Sequence, residues 1–305
     1  MKIGLRWISG AVAAAAVAGC GSGGTPHGFS TLYQTANNPN YDFSPAIFSI
    51  RGSSPSDIWV TGQFGTAVHY TGGHWNVVPT PASGSLADLT AVTASNAYAF
   101  DVVRNDMYQW NGHEWDEVGG ADDTRYAIWA DAVDSVWGVG RAQSHWDGAA
   151  WSPVTSQLLG SYLGPIDGLD TSTMYAVVSG GGIASSAGGT WNAIYTVNTN
   201  ELYGLWVDSA TDVWFVGKGG TVLRWDGGTV ASVDAGTMHD LTAVTGTGPD
   251  DVWIGGDQGT VVHWDGTAWS YATTPSGQDI NCMWAPRPRE VWIGDVSGAV
   301  LQDAL

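Results

Sequence analysis

The chain has 305 residues, 43 of them glycine and 18 tryptophan, and acids outnumber bases 29 to 10 for a formal charge of −19. Hydrophobic residues make up 44%, enough for a large core, which excludes long disorder. Nucleic-acid binding and attraction to anionic headgroups by charge are excluded too, because both need basic clusters and the sequence has none.

The chain opens on an export signal. Lys2 and Arg6 form a basic start, and residues 7–19 are mostly apolar but too short to cross a ~30 Å hydrocarbon layer as a helix. The stretch ends Val17, Ala18, Gly19, Cys20, which resembles a bacterial lipobox. That resemblance implies removal of residues 1–19 and acylation of Cys20, with an ordinary secretory signal as the alternative. Residues 20–28 are then a glycine- and serine-rich tether. Gly21, not Asp, follows the cysteine, so by the retention rule of enteric bacteria the anchor is the outer membrane. Cleavage leaves a net charge of −21, and acylation of Cys20 leaves Cys282 with no intrachain partner.

Residues 29–305 carry an internal repeat. Trp59, Tyr98, Trp137, Tyr175, Trp214, Trp253 and Trp292 follow one another at 39, 39, 38, 39, 39 and 39 residues. Each unit holds four short runs rich in β-branched and aromatic residues, bounded by turn formers. Asn111-Gly112, Asp147-Gly148, Asp226-Gly227 and Asp265-Gly266 read as type I′ hairpins between the third and fourth runs. Four antiparallel strands every ~39 residues predict an all-β, seven-bladed β-propeller. A column of small residues, Ser49, Ala91, Ala127, Gly168, Gly204, Ala243 and Cys282, is assigned to the crowded innermost strands. The seventh unit ends before its fourth strand, so residues 29–33 are expected to supply that strand and close the ring.

The repeat Asp-Val-Trp-x-x-Gly, Gly-Thr-x-x-His-Trp-Asp-Gly-x-x-Trp, cleanest over residues 251–269, resembles those of bacterial BNR-like propellers. Such propellers include myxobacterial lipoproteins and, more distantly, photosystem II assembly-factor-like proteins. Residues 43–305 share the resemblance. A sialidase Asp-box is approached at residues 185–191, but Ala187 stands where its Asp belongs. The Trp-Asp pair also departs from the WD40 pattern, since it precedes a hairpin. The resemblance implies a fold and a scaffold role, and no activity.

Three tryptophans, Trp129, Trp206 and Trp284, lie outside the repeated positions and share one column, with Arg51, Thr93, Asp170 and Thr245 in the other blades. They offer a stacking surface for sugar or, more blandly, plugs for the far end of the channel or for the gaps between blades. Asp88, Glu201, Asp240 and Asp279 enter the innermost strand of four blades, with Ala46, Thr124 and Pro165 in the other three. Together they predict a negative channel mouth that attracts a basic partner or a cation, against the plainer reading of turn capping. Asp57, Asn96, Ser135, Thr173, Asp212, Asp251 and Glu290 precede the repeated aromatic by two and read as local turn acceptors. His69, His145 and His263 fall on different blades, and neither a zinc-ligand cluster nor an arginine cluster for a sugar carboxylate is present. The sequence therefore predicts a monomeric, non-catalytic binding or scaffold module with no cofactor, held to the membrane by its lipid alone. Its partner is a protein, the alternative being a glycan-binding or glycosidase-like propeller.

Overall fold

The computed structural model describes residues 29–34, 44–120, 125–154, 156, 158, 161–195 and 200–304. The expected export signal, Cys20 and the expected tether lie outside them. The described strands form seven four-stranded antiparallel sheets, each in strand order 1-2-3-4 from the axis outward. The blades span residues 47–77, 86–120, 125–153, 163–195, 202–232, 241–273 and 280–304. In blade seven, Ser30–Gln34 takes the fourth place and pairs antiparallel with Ala299–Ala304, Ser30 facing Gln302 and Gln34 facing Ala299. Gln34 Nε2 also donates to the carbonyl of Ser297 at 2.6 Å. The ring thus closes through both ends of the described chain, which covers the edge that blade seven alone would expose.

Because strands alternate in direction, the 2–3 turns and the loops between blades lie on one face, here the upper. The 1–2 and 3–4 turns lie on the lower face. The 3–4 hairpins differ from the expected type: only their glycines have positive φ, from 88° to 96° at Gly112, Gly148, Gly227 and Gly266. This is the type II′ pattern, with Asn or Asp at the preceding position. There Asp265 Oδ1 accepts the amides of Thr267 and Ala268, both at 2.8 Å.

The first strands correct the predicted register in two blades. Leu-Thr-Ala-Val occurs at residues 241–244 and at 89–92, but Leu241 faces Gly256 whereas Leu89 faces Ala99. It is Leu86, facing Asp101, that opens blade two as Leu241 opens blade six. Blade four is displaced alike: Asp167, not Asp170, faces Tyr175. The small column therefore holds Asp88 and Pro165 in place of Ala91 and Gly168. The following residues, Ile50, Leu89, Ile128, Ile166, Leu205, Val244 and Met283, are all buried, so this register places an apolar side chain in every blade. Leu169, which would follow Gly168 in the predicted register, is 48% exposed. Crowding at the axis is real: a Cβ on Gly204 would lie 2.8 Å from the carbonyl oxygen of Thr242 in the next blade.

The repeated second-strand acceptors do more than cap local turns. His69 Nε2 meets Asp57 at 2.6 Å and stacks on Trp59, their ring centres 3.9 Å apart. His263 repeats this with Asp251 at 2.7 Å and Trp253 at 3.9 Å. Arg224 grips Asp212 with two bonds of 2.6 Å, and Gln302 donates to Glu290 at 2.9 Å. These four acceptors are each bonded across the sheet from the third strand, forming a polar belt.

Candidate functional site

The three unrepeated tryptophans pack between blades. A Cβ on Gly168 would lie 3.2 Å from Trp129, one on Gly246 2.5 Å from Trp206, and one on Gly52 2.6 Å from Trp284. Each indole of blades three, five and seven rests on a glycine of the following blade, and no side chain fits between them. All three indoles remain half-buried. The complementary glycine lies 39 and 40 residues on for Trp129 and Trp206, and in the first blade for Trp284, and the local pattern did not reveal it.

Of the four acids placed at the channel mouth, the structure brings three to equivalent positions. The backbone carbonyls of Glu201, Asp240 and Asp279 each accept an amide from the upper end of their own blade's second strand, those of Lys218, Asp257 and Val296. In blade two that role belongs to Ser85, which accepts from Val102. Asp88 is three residues farther along, inside the strand and facing Phe100. Asp240 Oδ1 accepts the amide of Gly219 at 2.8 Å, and Asp279 Oδ1 that of Gln258 at 2.8 Å. Both carboxylates therefore tie the first strand of one blade to the 2–3 turn of the blade before it. Glu201 is exposed and accepts from Tyr203 at 3.3 Å.

Asp88 belongs to a different group, the charges of the axial channel. Its two oxygens accept the amides of Leu89 and, in blade three, Ile128, both at 2.9 Å. Asp167 likewise accepts the amide of Val207 of blade five at 2.9 Å. Arg51 donates to the carbonyls of Ile50 at 3.0 Å and, in blade seven, Met283 at 3.2 Å. Burial pushes the Asp88 carboxyl up to about 6, although the Ile128 amide and the Arg51 charge oppose it. Burial raises Asp167 as well, opposed by Arg51 and the Val207 amide. Among the described residues no three His, Cys, Asp or Glu are grouped as metal ligands.

The upper face also carries a groove of about 400 Å³ on blade five, lined among others by Asn200, Leu202, Thr221, Leu223, Ser232 and Asp234. Glu201 stands in the chain between the lining residues Asn200 and Leu202, and Met238, next to the lining residue Thr237, is 86% exposed. Farther round, the 2–3 turns of blades seven, one and two expose Val296, Phe64 and Val103 at 37, 47 and 71%. His239, next to Asp240, shares a 2.6 Å hydrogen bond between Nδ1 and the Thr260 hydroxyl. In blade three, Ser135 lies between Asp131 at 2.6 Å and His145 at 3.0 Å. That order leaves the carboxylate on the hydroxyl instead of the imidazole, unlike a hydrolytic triad.

Blade number, strand order and ring closure define a seven-bladed β-propeller. No family model matches the chain, and no curated protein matches it in sequence. Among solved structures it is similar to YCF48 bound to a D1 peptide, with a TM-score of 0.75 at 14% identity, over 93% of this chain and 98% of that one. YCF48 from Cyanidioschyzon merolae matches with a TM-score of 0.70 at 12% identity, over 90% and 98%. The WD40 β-propeller domain of Doa1 matches with a TM-score of 0.72 at 11% identity, over 91% and 97%. At these identities the likeness is one of fold.

Proposed function

We propose that this propeller is a non-catalytic, protein-binding module, anchored to the outer membrane through an acylated Cys20, whose upper face takes a peptide segment bearing basic and apolar side chains. The observation that carries the reading is the groove on blade five, lined by Asp234, with the exposed Glu201 and Met238 next in sequence to the lining residues Leu202 and Thr237. Carboxylates there favour a cationic partner, and a thioether adapts to varied apolar side chains. A propeller of the same fold, YCF48, has been solved with a peptide bound, which supports the class of partner. The packing of Trp129, Trp206 and Trp284 against glycines gives each a structural role beside the glycan alternative.

A photocrosslinking residue in place of Met238, in cells, tests the partner. A discrete protein adduct that fades in Glu201→Gln/Asp234→Asn and in high salt is expected. No adduct from folded, correctly located protein refutes the reading. Cys20→Ser tests the anchor separately: the protein should leave the membrane fraction.

A further inference from the structure

We infer that the anchored propeller sits with the lower rim of blades seven and one against the lipid headgroups, and with its upper face turned away from the bilayer. This rests on the acylation of Cys20 proposed above. The first observation is topological. Ser30 faces Gln302 near the lower end of blade seven, while Gln34 faces Ala299 beside the upper turn. The chain therefore enters the domain from the lower face, at the outer edge of blade seven. Phe29 packs against the apolar cluster of blades six and seven, which fixes the point of entry. Cys20 lies nine residues before Phe29. Nine residues reach at most about 30 Å, and a flexible chain of that length averages about 17 Å. The anchor thus holds this corner close to the membrane.

The second observation is the distribution of charge on the lower face. Blades two to six each expose a carboxylate there, among them Glu114, Asp134, Asp170, Asp226 and Asp265. Blades seven and one expose none among the described residues: the acids at their lower ends, Asp57, Glu290 and Asp303, are all buried. In their place the 1–2 turn of blade seven presents Arg287 and Arg289, both exposed. Arg287 also bonds the buried Glu290, and the Arg289 amide donates to Asp251 at 3.1 Å, so the turn is held in place. That turn and the entering strand are separated by two to three strand spacings, about 12 Å. Two arginines do not recruit a protein of this net charge to a membrane. Once the lipid holds it there, they decide which sector meets the phosphates, because charges are felt only within about 8 Å of the surface. The tilt that lowers blades seven and one keeps the acidic sectors out of that layer. It also leaves the groove on blade five open to a partner.

The test uses the full acylated chain, reconstituted in phosphatidylglycerol-containing vesicles. An environment-sensitive probe is attached at an introduced cysteine, His74→Cys on the lower side of blade one or Ser172→Cys on that of blade four, with a quencher at the headgroups. Quenching should be several-fold stronger at 74 than at 172, and the difference should shrink in Arg287→Gln/Arg289→Gln. Equal quenching at both sites of bound protein overturns the orientation and leaves the anchor standing. Protein that lacks the acyl group by mass and stays off the vesicles overturns both. A difference untouched by the double variant removes the arginines as its cause.

Discussion

Two sets of buried aspartates in one molecule behave in opposite ways. Asp57 and Asp251, in the belt, are subject to burial that alone would raise their pKa, but hydrogen bonds from His69 with Ser53, and from His263 with Thr247, hold both below the usual carboxylate range. Asp88 and Asp167, in the axial channel, accept backbone amides and feel one arginine, and burial prevails. The difference lies in the partners. The third strand brings a donor side chain to each belt acid, whereas the channel acids bond neutral amides of a neighbouring blade. The belt side chains hold strands together within a blade, Asp251 also accepting an amide of the next blade, and the channel acids join blade to blade.

The sharpest way to break this contrast is to remove a belt acid. Asp251 accepts from Trp253 at 3.1 Å, His263 at 2.7 Å, Thr247 at 2.6 Å and the Arg289 amide at 3.1 Å. Asp251→Ala strands all four donors and should cost about 3–5 kcal/mol by urea unfolding at neutral pH. Trp206→Ala probes the axial ring instead. It opens a void over Gly246 and should cost about 3 kcal/mol, with little change in the pH dependence of melting.

The pH profile separates the two sets by sign. Asp57 and Asp251 add stability that is full above about pH 4 and is lost as pH falls through their depressed values. Asp88 adds stability that is full below about pH 4 and is lost as pH rises through about 6. Asp88→Asn should therefore cost about 1 kcal/mol near pH 5, where one amide loses its oxygen acceptor, and less at pH 8. Equal losses at both pH values would place Asp88 among the ordinary carboxylates. The smallest effect is expected of Arg51→Gln, which removes the cation opposing burial. The fall in stability assigned to Asp88 should then move to higher pH, by less than about one unit.

Blade number was legible because a propeller repeats locally: an aromatic about every 39 residues needs no knowledge of its neighbours. Ring closure was legible too, since the seventh unit lacked a strand and the segment at 29–33 could supply it. Register was not. The string shared by residues 89–92 and 241–244 looks like one position but occupies two. A strand's register follows from which side chains its neighbours bury, and that is decided across the sheet.

The candidate site divides the same way. Sequence by itself established an acidic, seven-fold repeated chain with an acid before the first strand of blades five, six and seven, because these are matters of composition and period. Only the tertiary structure decided that Asp240 and Asp279 hold the turns of a preceding blade, that Asp88 lies in the channel, and that each unrepeated tryptophan rests on a glycine. Those contacts join residues on adjoining blades, about 20 to 40 positions apart or, for Trp284 and Gly52, across the ring closure. Their partners are set by how the blades pack around the axis, which no local pattern records.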